Sequence, residues 1–316
     1  MKAVRFHEYG APEVLRHEDV DQPVPGAGQV RVRVAATTFN GVDGNIRAGF
    51  MQGPMPLTLP HIPGLDVAGT VDALGEGVGG LEIGDQVVGF LPFVVDGAAA
   101  EYVLAPAESL APAPTGIPLA DAAALPLVGL TAWQALFDHA ELKAGQRILI
   151  SGAGGAVGGY AVQLARAAGA HVIATGSPRS IEQVKAAGAD EVIDHTATAV
   201  TAAVTAAVTE PVDVLLNLAP IDPAEFTALA DLVRNGGVVV NTTVWMPAPA
   251  DEERGVRGID VYVRSDAGQL SELVARVDRG ELTVAVAERV PLADLASVHA
   301  RAAAGTLSGK VVILPD

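Results

Sequence analysis

The sequence predicts an α/β protein in which a doubly wound parallel sheet is set into a β-rich domain. Three observations lead there. Up to about residue 110, short apolar runs are separated by Gly and Pro. From about residue 120, β-branched runs alternate with alanine-rich helical stretches, and after about residue 260 two more helical stretches precede a last strand. Short strands joined by glycine turns build a barrel-like domain, whereas strands alternating with helices build βαβ units. The expected division is 1–121, 122–259 and 260–316, with the last part returning to the first domain.

The elements follow in order. QVRVRVA at 29–35 sets Val30, Val32 and Val34 against Gln29, Arg31 and Arg33, the period of a half-buried strand. VAGTVDAL, QVVGF and EYVLA read the same way, with LGEGVGGLEIGD supplying turns between them. Beyond residue 120, QRILI, HVIAT, EVID, VDVLLNL and GGVVVN are strands, and YAVQLARAAG and IEQVKAAG are helices between them. TATAVTAAVTAAVTE, at 196–210, carries a local TAAV repeat and reads as a crossover helix. QLSELVARVDRG and LADLASVHARAAAG are the late helices, and KVVILPD ends the chain as a strand.

Composition narrows the function. With 316 residues, half of them apolar, the chain can bury a sizeable core over two domains. Its 20 Lys and Arg against 37 Asp and Glu give a net charge of −17, which repels nucleic-acid backbones and anionic lipid surfaces. There is no cysteine, so disulfides and thiolate metal sites are excluded. MKAVRFHEYG lacks the apolar core of a signal peptide, and AAALPLVGLTAWQALF is broken by Pro126 and too short to span a bilayer. The chain therefore reads as cytoplasmic, with no nucleic-acid and no membrane partner.

The strand ending at Ile150 runs into Gly152, Gly155 and Gly158, and a helix begins near Val157. Bare backbone at such a turn lets a pyrophosphate reach the unpaired N–H groups of a helix N-terminus, the arrangement of a Rossmann dinucleotide site. Ala156 and Val157 belong to the same candidate set, with Asn217 and Thr242 later in the domain. A site for NADH usually places Asp or Glu at the end of the second strand, and none lies between His171 and Ile181. Ser177 and Arg179 stand there instead, residue types suited to a 2′-phosphate, so NADPH is the expected cofactor. The plainer alternative is that these two cap and solvate the next helix.

FNGVDGNIRAG at 39–49, PHIPGLDVAGTV at 60–71, GDQVVGF, AAALPLVGLTAWQAL, SGAGGAVGGYAVQLARAAGA and the closing GKVVIL, taken in this order, resemble the zinc-free quinone oxidoreductase-like branch of the medium-chain dehydrogenase/reductase superfamily. The resemblance covers nearly the whole chain. It implies a GroES-like catalytic domain split around an inserted Rossmann domain, a cleft where nicotinamide meets substrate, and a homodimer. Zinc-dependent relatives carry a Cys and a His-Glu pair at positions corresponding to Asn40 and to Leu65 with Asp66. Leu65 has no ligating atom and Asn40 is a poor zinc ligand, so no metal site is expected. His61 and His171 read as ordinary turn and strand residues.

Without a Lewis acid, the remaining chemistry is hydride transfer to an apolar small molecule that is already electrophilic, a quinone, an enone or an enoyl compound. The resemblance makes Asn40 a candidate donor to a developing enolate oxygen, with a turn residue before Gly41 as the alternative. Asp43 is a second catalytic candidate, although its spacing from Arg47 favours a structural ion pair on one helix face. Thr131 matches a position beside the nicotinamide in relatives, or else pads its helix onto the sheet. Asn45 stands where the branch carries a tyrosine, and Phe50, Met51 and Met55 suggest an apolar substrate wall or simple packing. Trp245 and Met246 form a candidate lid. No general acid is evident. The rival readings are a pathway-specific enoyl reductase and a non-catalytic NADPH-binding protein.

Overall fold

A computed structural model describes residues 1–196, 200–243 and 245–315. The chain divides into two compact units, Met1–Leu127 with Ser265–Asp316, and Val128–Arg264.

The first unit opens with β1 (Lys2–Phe6), paired antiparallel with β2 (Leu15–Asp19). β3 (Gln29–Thr38) leads into α1 (Gly41–Ala48), and β4 (Asp66–Leu74), β5 (Gln86–Phe90), β6 (Tyr102–Pro106) and β7 (Leu110–Pro112) follow. β3 pairs antiparallel with both β4 and β6, and β5 pairs with β4 and β7. Val30, Val32 and Val34 of β3 are buried with Val67, Val71, Val87 and Val103. Each such side chain taken from water contributes roughly 1.5–3 kcal/mol. α2 (Leu119–Ala122) packs against β3 and β4, which carries the border of this unit past the expected residue 121. α3 (Pro126–Trp133) then begins and passes into a π-helical turn at Gln134–His139.

The second unit alternates strand and helix. β8 (Arg147–Ser151), α4 (Ala156–Ala167), β9 (His171–Gly176), α5 (Ile181–Ala186), β10 (Glu191–Asp194), α6 (Val200–Ala207), β11 (Val212–Asn217), α7 (Pro223–Ala230), β12 (Val233–Asn241) and β13 (Arg257–Asp260) succeed one another. The strands form a parallel sheet in the order β10-β9-β8-β11-β12-β13. Ile148, Leu149 and Ile150 of central β8 are all fully buried, as expected of a parallel strand covered on both faces. Of the biased stretch, residues 200–207 are helical, and 197–199 lie outside the described residues.

In the return to the first unit, α8 (Ala267–Asp278) is capped by Asp266, whose side chain accepts from the Gln269 amide at 2.9 Å. Leu270, Leu273, Val274 and Val277 form its buried stripe, at the spacing of one helix face. β14 (Glu288–Pro291), α9 (Leu295–Ala303) and β15 (Val311–Leu314) end the fold. β15 pairs antiparallel with β3, setting Val312 opposite Thr38. That register matters, because it brings the end of the chain beside Asn40. No helix among the described residues is long and apolar enough to cross a membrane.

Candidate functional site

The glycine turn lies between β8 and α4. Gly152 has φ +83°, in the left-handed region, and a Cβ there would meet the Ala219 Cβ at 2.9 Å. Its amide donates to the Thr175 hydroxyl at 2.9 Å. A Cβ on Gly158 would run into the backbone of Ala153, so this glycine lets α4 pack closely. Gly155 differs from both. It is the N-cap of α4 with ordinary extended angles, φ −82° and ψ 175°, and its added Cβ would touch nothing nearer than the Gly152 carbonyl oxygen at 3.5 Å. Neither backbone conformation nor packing asks for glycine there. The first intrahelical bond of α4 is Gly159 N–H to Gly155 O, 3.1 Å, so the amides of Ala156, Val157 and Gly158 precede the ladder, at a helix end where the dipole favours negative charge.

At the end of β9, residues 177–180 form a turn. The Ser180 amide donates to Ser177 O at 2.8 Å, and the Ser177 amide donates to the Ser180 hydroxyl at 3.0 Å. Ser180, not Ser177, is thus the N-cap residue of α5. The same hydroxyl occupies the space a Cβ on Gly154 would need, so the two loops touch. Arg179 is exposed and makes no ion pair with a described residue.

Asn217 and Thr242 also come together. The Thr242 amide donates to Asn217 O at 3.1 Å, and the Asn217 side chain donates to Asn241 Oδ1 and to Ala219 O, both at 3.0 Å. Its own Oδ1 is buried and has no partner among the described residues. Asn241 in turn donates to the carbonyls of Thr243 and Met246 and to Asp260, which holds the chain after β12. Trp245 is 58% exposed beside a hollow that it lines with Met246, Asp260 and Tyr262. Thr131 is buried in α3.

In the first unit the candidates form a buried polar knot. Asn40 is the N-cap of α1, and the Asp43 carboxylate accepts from its amide at 2.8 Å and from the Gly64 amide at 3.3 Å. Asp43 does not pair with Arg47. At the third position of the helix its carboxylate turns back to the helix start, the reverse half of a capping box, whereas Arg47 donates to His299 Nδ1 at 3.3 Å and to Gly10 O. Burial pushes the Asp43 pKa up to about 7, with the Asp66 charge adding to the effect against its backbone hydrogen bonds. Burial, helped by the Arg47 charge, pulls His299 down to about 3.

Two partners in this knot were missed in the sequence. Asp66, fully buried, accepts from Asn40 Nδ2 at 2.9 Å, from the Leu127 amide at 2.7 Å, from Lys310 Nζ at 3.1 Å and from the Thr38 hydroxyl. Lys310 also donates to Asn40 Oδ1 and to Phe39 O. A lone charge inside each of the apolar runs GLDVAG and GKVVIL was the available signal, because a buried charge must find a partner. Of the three expected wall residues, Met51 packs inside the unit, Met55 is half-buried and Phe50 stands 65% exposed. His61 is buried edge-on against Phe6, and His171 Nε2 meets Glu191 at 2.7 Å. Among the described residues no group of three or more His, Asp or Glu is placed to hold a metal ion.

Comparison with known proteins agrees in one direction. Residues 26–115 match the alcohol dehydrogenase GroES-like domain, and residues 187–313 match a family described as zinc-binding dehydrogenase. A chloroplast envelope quinone oxidoreductase homolog from Arabidopsis thaliana is 33% identical over 100% of this chain and 98% of its own. Among solved structures, an NAD-dependent alcohol dehydrogenase superposes with a TM-score of 0.89 at 30% identity, covering 99% of each chain. A mycobacterial protein solved with NADPH superposes at 0.84 and 30% identity over 100% of both.

Proposed function

The chain belongs to the quinone oxidoreductase-like branch of the medium-chain dehydrogenase/reductase superfamily, and on that premise we propose that this oxidoreductase uses NADPH, without zinc, to reduce a quinone or an activated alkene. The observation that carries the reading is Gly155, a glycine that the fold does not need at the N-terminus of α4. Its bare backbone leaves room for a pyrophosphate against the amides of Ala156, Val157 and Gly158. Ser177 and the exposed Arg179 suit the 2′-phosphate of NADPH, and no carboxylate stands in that turn to bind the ribose hydroxyls of NADH. The unsatisfied Asn217 Oδ1 and the neighbouring Thr242 suit the polar end of the nicotinamide.

Among the described residues no cluster of His, Asp or Glu is placed to hold zinc. Leu65 carries no donor atom, the chain has no cysteine, and the Asn40 oxygen, the atom a metal would need, already accepts from the Lys310 ammonium. When bound, NADPH supplies the hydride, and the acceptor must therefore be electrophilic already. Asn40 keeps a second Nδ2 hydrogen, whose nearest acceptor is the Thr38 hydroxyl at a weak 3.5 Å. We assign it to the acceptor's oxygen, where negative charge develops as hydride reaches the carbon. One proton, from water or relayed through a hydroxyl, completes the reduction, on the oxygen of a quinone or at the α-carbon of an enone. Thr131 is assigned a place beside the nicotinamide.

The test is a panel of quinones, enones, enoyl thioesters and aldehydes, scored by NADPH oxidation. Turnover with quinones or simple enones supports the reading; turnover confined to one enoyl thioester favours a pathway enzyme, and tight NADPH binding without turnover favours a non-catalytic role.

A further inference from the structure

An asparagine amide can sit in its pocket in two flips that exchange donor and acceptor. Around Asn40 the choice is forced by chemistry. An ammonium only donates and a carboxylate only accepts, so Lys310 must face Oδ1 and Asp66 must face Nδ2. Both partners are buried, Lys310 at 4% exposure and Asp66 at 0%, and water does not compete for either. Every donor of the ammonium is used, on Asn40 Oδ1, Asp66 Oδ2 at 3.1 Å and Phe39 O at 3.4 Å. Both oxygens of Asp66 are used as well, Oδ1 on the Leu127 amide and Oδ2 on Thr38, Asn40 and Lys310. The pairing is long-range, 244 residues between Asp66 and Lys310, and depends on β15 lying beside β3.

A buried ion pair adds little net stability compared with an apolar pair of the same size. Its consequence here is orientation. We infer that Lys310, with Asp66, is a positioning residue of the reductase, locking the Asn40 amide in the one flip that leaves a hydrogen, and never the carbonyl oxygen, for the acceptor's developing oxyanion. In the opposite flip a lone pair would face that charge and repel it. The inference rests on the donor role of Asn40 and extends it to a residue at the far end of the chain.

A double-mutant cycle tests it on the full chain, with kcat, NADPH Kd and Tm measured for the pair Asp66→Asn with Lys310→Met, for Asn40→Ala and for all three together. Either partner alone still fixes the flip, since a carboxylate only accepts and an ammonium only donates, so both are replaced. Losing one oriented donor costs at least about tenfold in kcat, and the pair should show that loss with NADPH Kd changed by less than about twofold. In the Asn40→Ala background the same pair should change kcat by less than about twofold, because there is then no amide to orient. Equal losses in both backgrounds, or the pair at the parental rate beside a slow Asn40→Ala, overturn the inference alone. Asn40→Ala at the parental rate overturns the donor role and the inference with it. Should that pair fail to fold, Asp66→Leu with Lys310→Met replaces the ion pair by apolar side chains and carries the same expectation.

Discussion

His299 accepts a hydrogen bond from Arg47 at 3.3 Å across 252 residues of sequence, and this places a neutral imidazole under a buried guanidinium. Burial and the Arg47 charge depress its folded pKa from 6.5 to about 3. The stability it contributes is complete above pH 6.5 and is lost as the pH falls toward 3.

Asp43 has the opposite sign. Its folded pKa rises from 3.8 to about 7, chiefly through burial, so its contribution is complete below pH 3.8 and is lost as the pH rises through 7. Between about pH 4 and 6.5 the two slopes oppose, each up to roughly 1.4 kcal/mol per pH unit. Asp43→Asn should therefore gain stability on the parent as pH rises across this window, and His299→Gln should lose its deficit as pH falls. Urea unfolding at half-unit pH steps reads both slopes; parallel curves for Asp43→Asn and parent would contradict the buried, protonated Asp43.

Gly155, the N-cap of α4, and Gly158, within it, separate ligand from fold. Gly155→Ala should cost no more than about 1 kcal/mol of stability, the usual effect at an N-cap, yet weaken NADPH at least about tenfold. Gly158→Ala should instead lose roughly 1–3 kcal/mol, because its Cβ must push α4 off the Ala153 backbone. Thermal unfolding and cofactor titration of both variants decide this; unchanged NADPH affinity in Gly155→Ala would remove the pyrophosphate from that turn.

Arg179 is exposed and makes no ion pair with a described residue, so its removal breaks no described contact. Arg179→Ala should raise the NADPH Kd by about ten- to a hundredfold and leave NADH within about twofold. Equal losses for the two cofactors would mean that the guanidinium does not read the 2′-phosphate.

What could be read from sequence divides by range. The alternation of Val30, Val32 and Val34 and the glycine spacing between β8 and α4 are local patterns with one physical solution each. The Asp43 and Arg47 spacing was local too, but helix capping and the His299 contact took both side chains elsewhere. The Asn40, Asp66 and Lys310 knot could not be read this way, because its partners meet only once β15 pairs with β3. Gly155 became informative only when packing had accounted for Gly152 and Gly158.

The central claim is hydride transfer from NADPH without a metal. The most direct measurement is kcat/KM for a quinone or enone acceptor with NADPH and with NADH, in buffer treated with a strong chelator. The account predicts turnover unaffected by the chelator and at least about tenfold better with NADPH. Activity that disappears on chelation and returns with zinc, or that is equal with NADH, would contradict it.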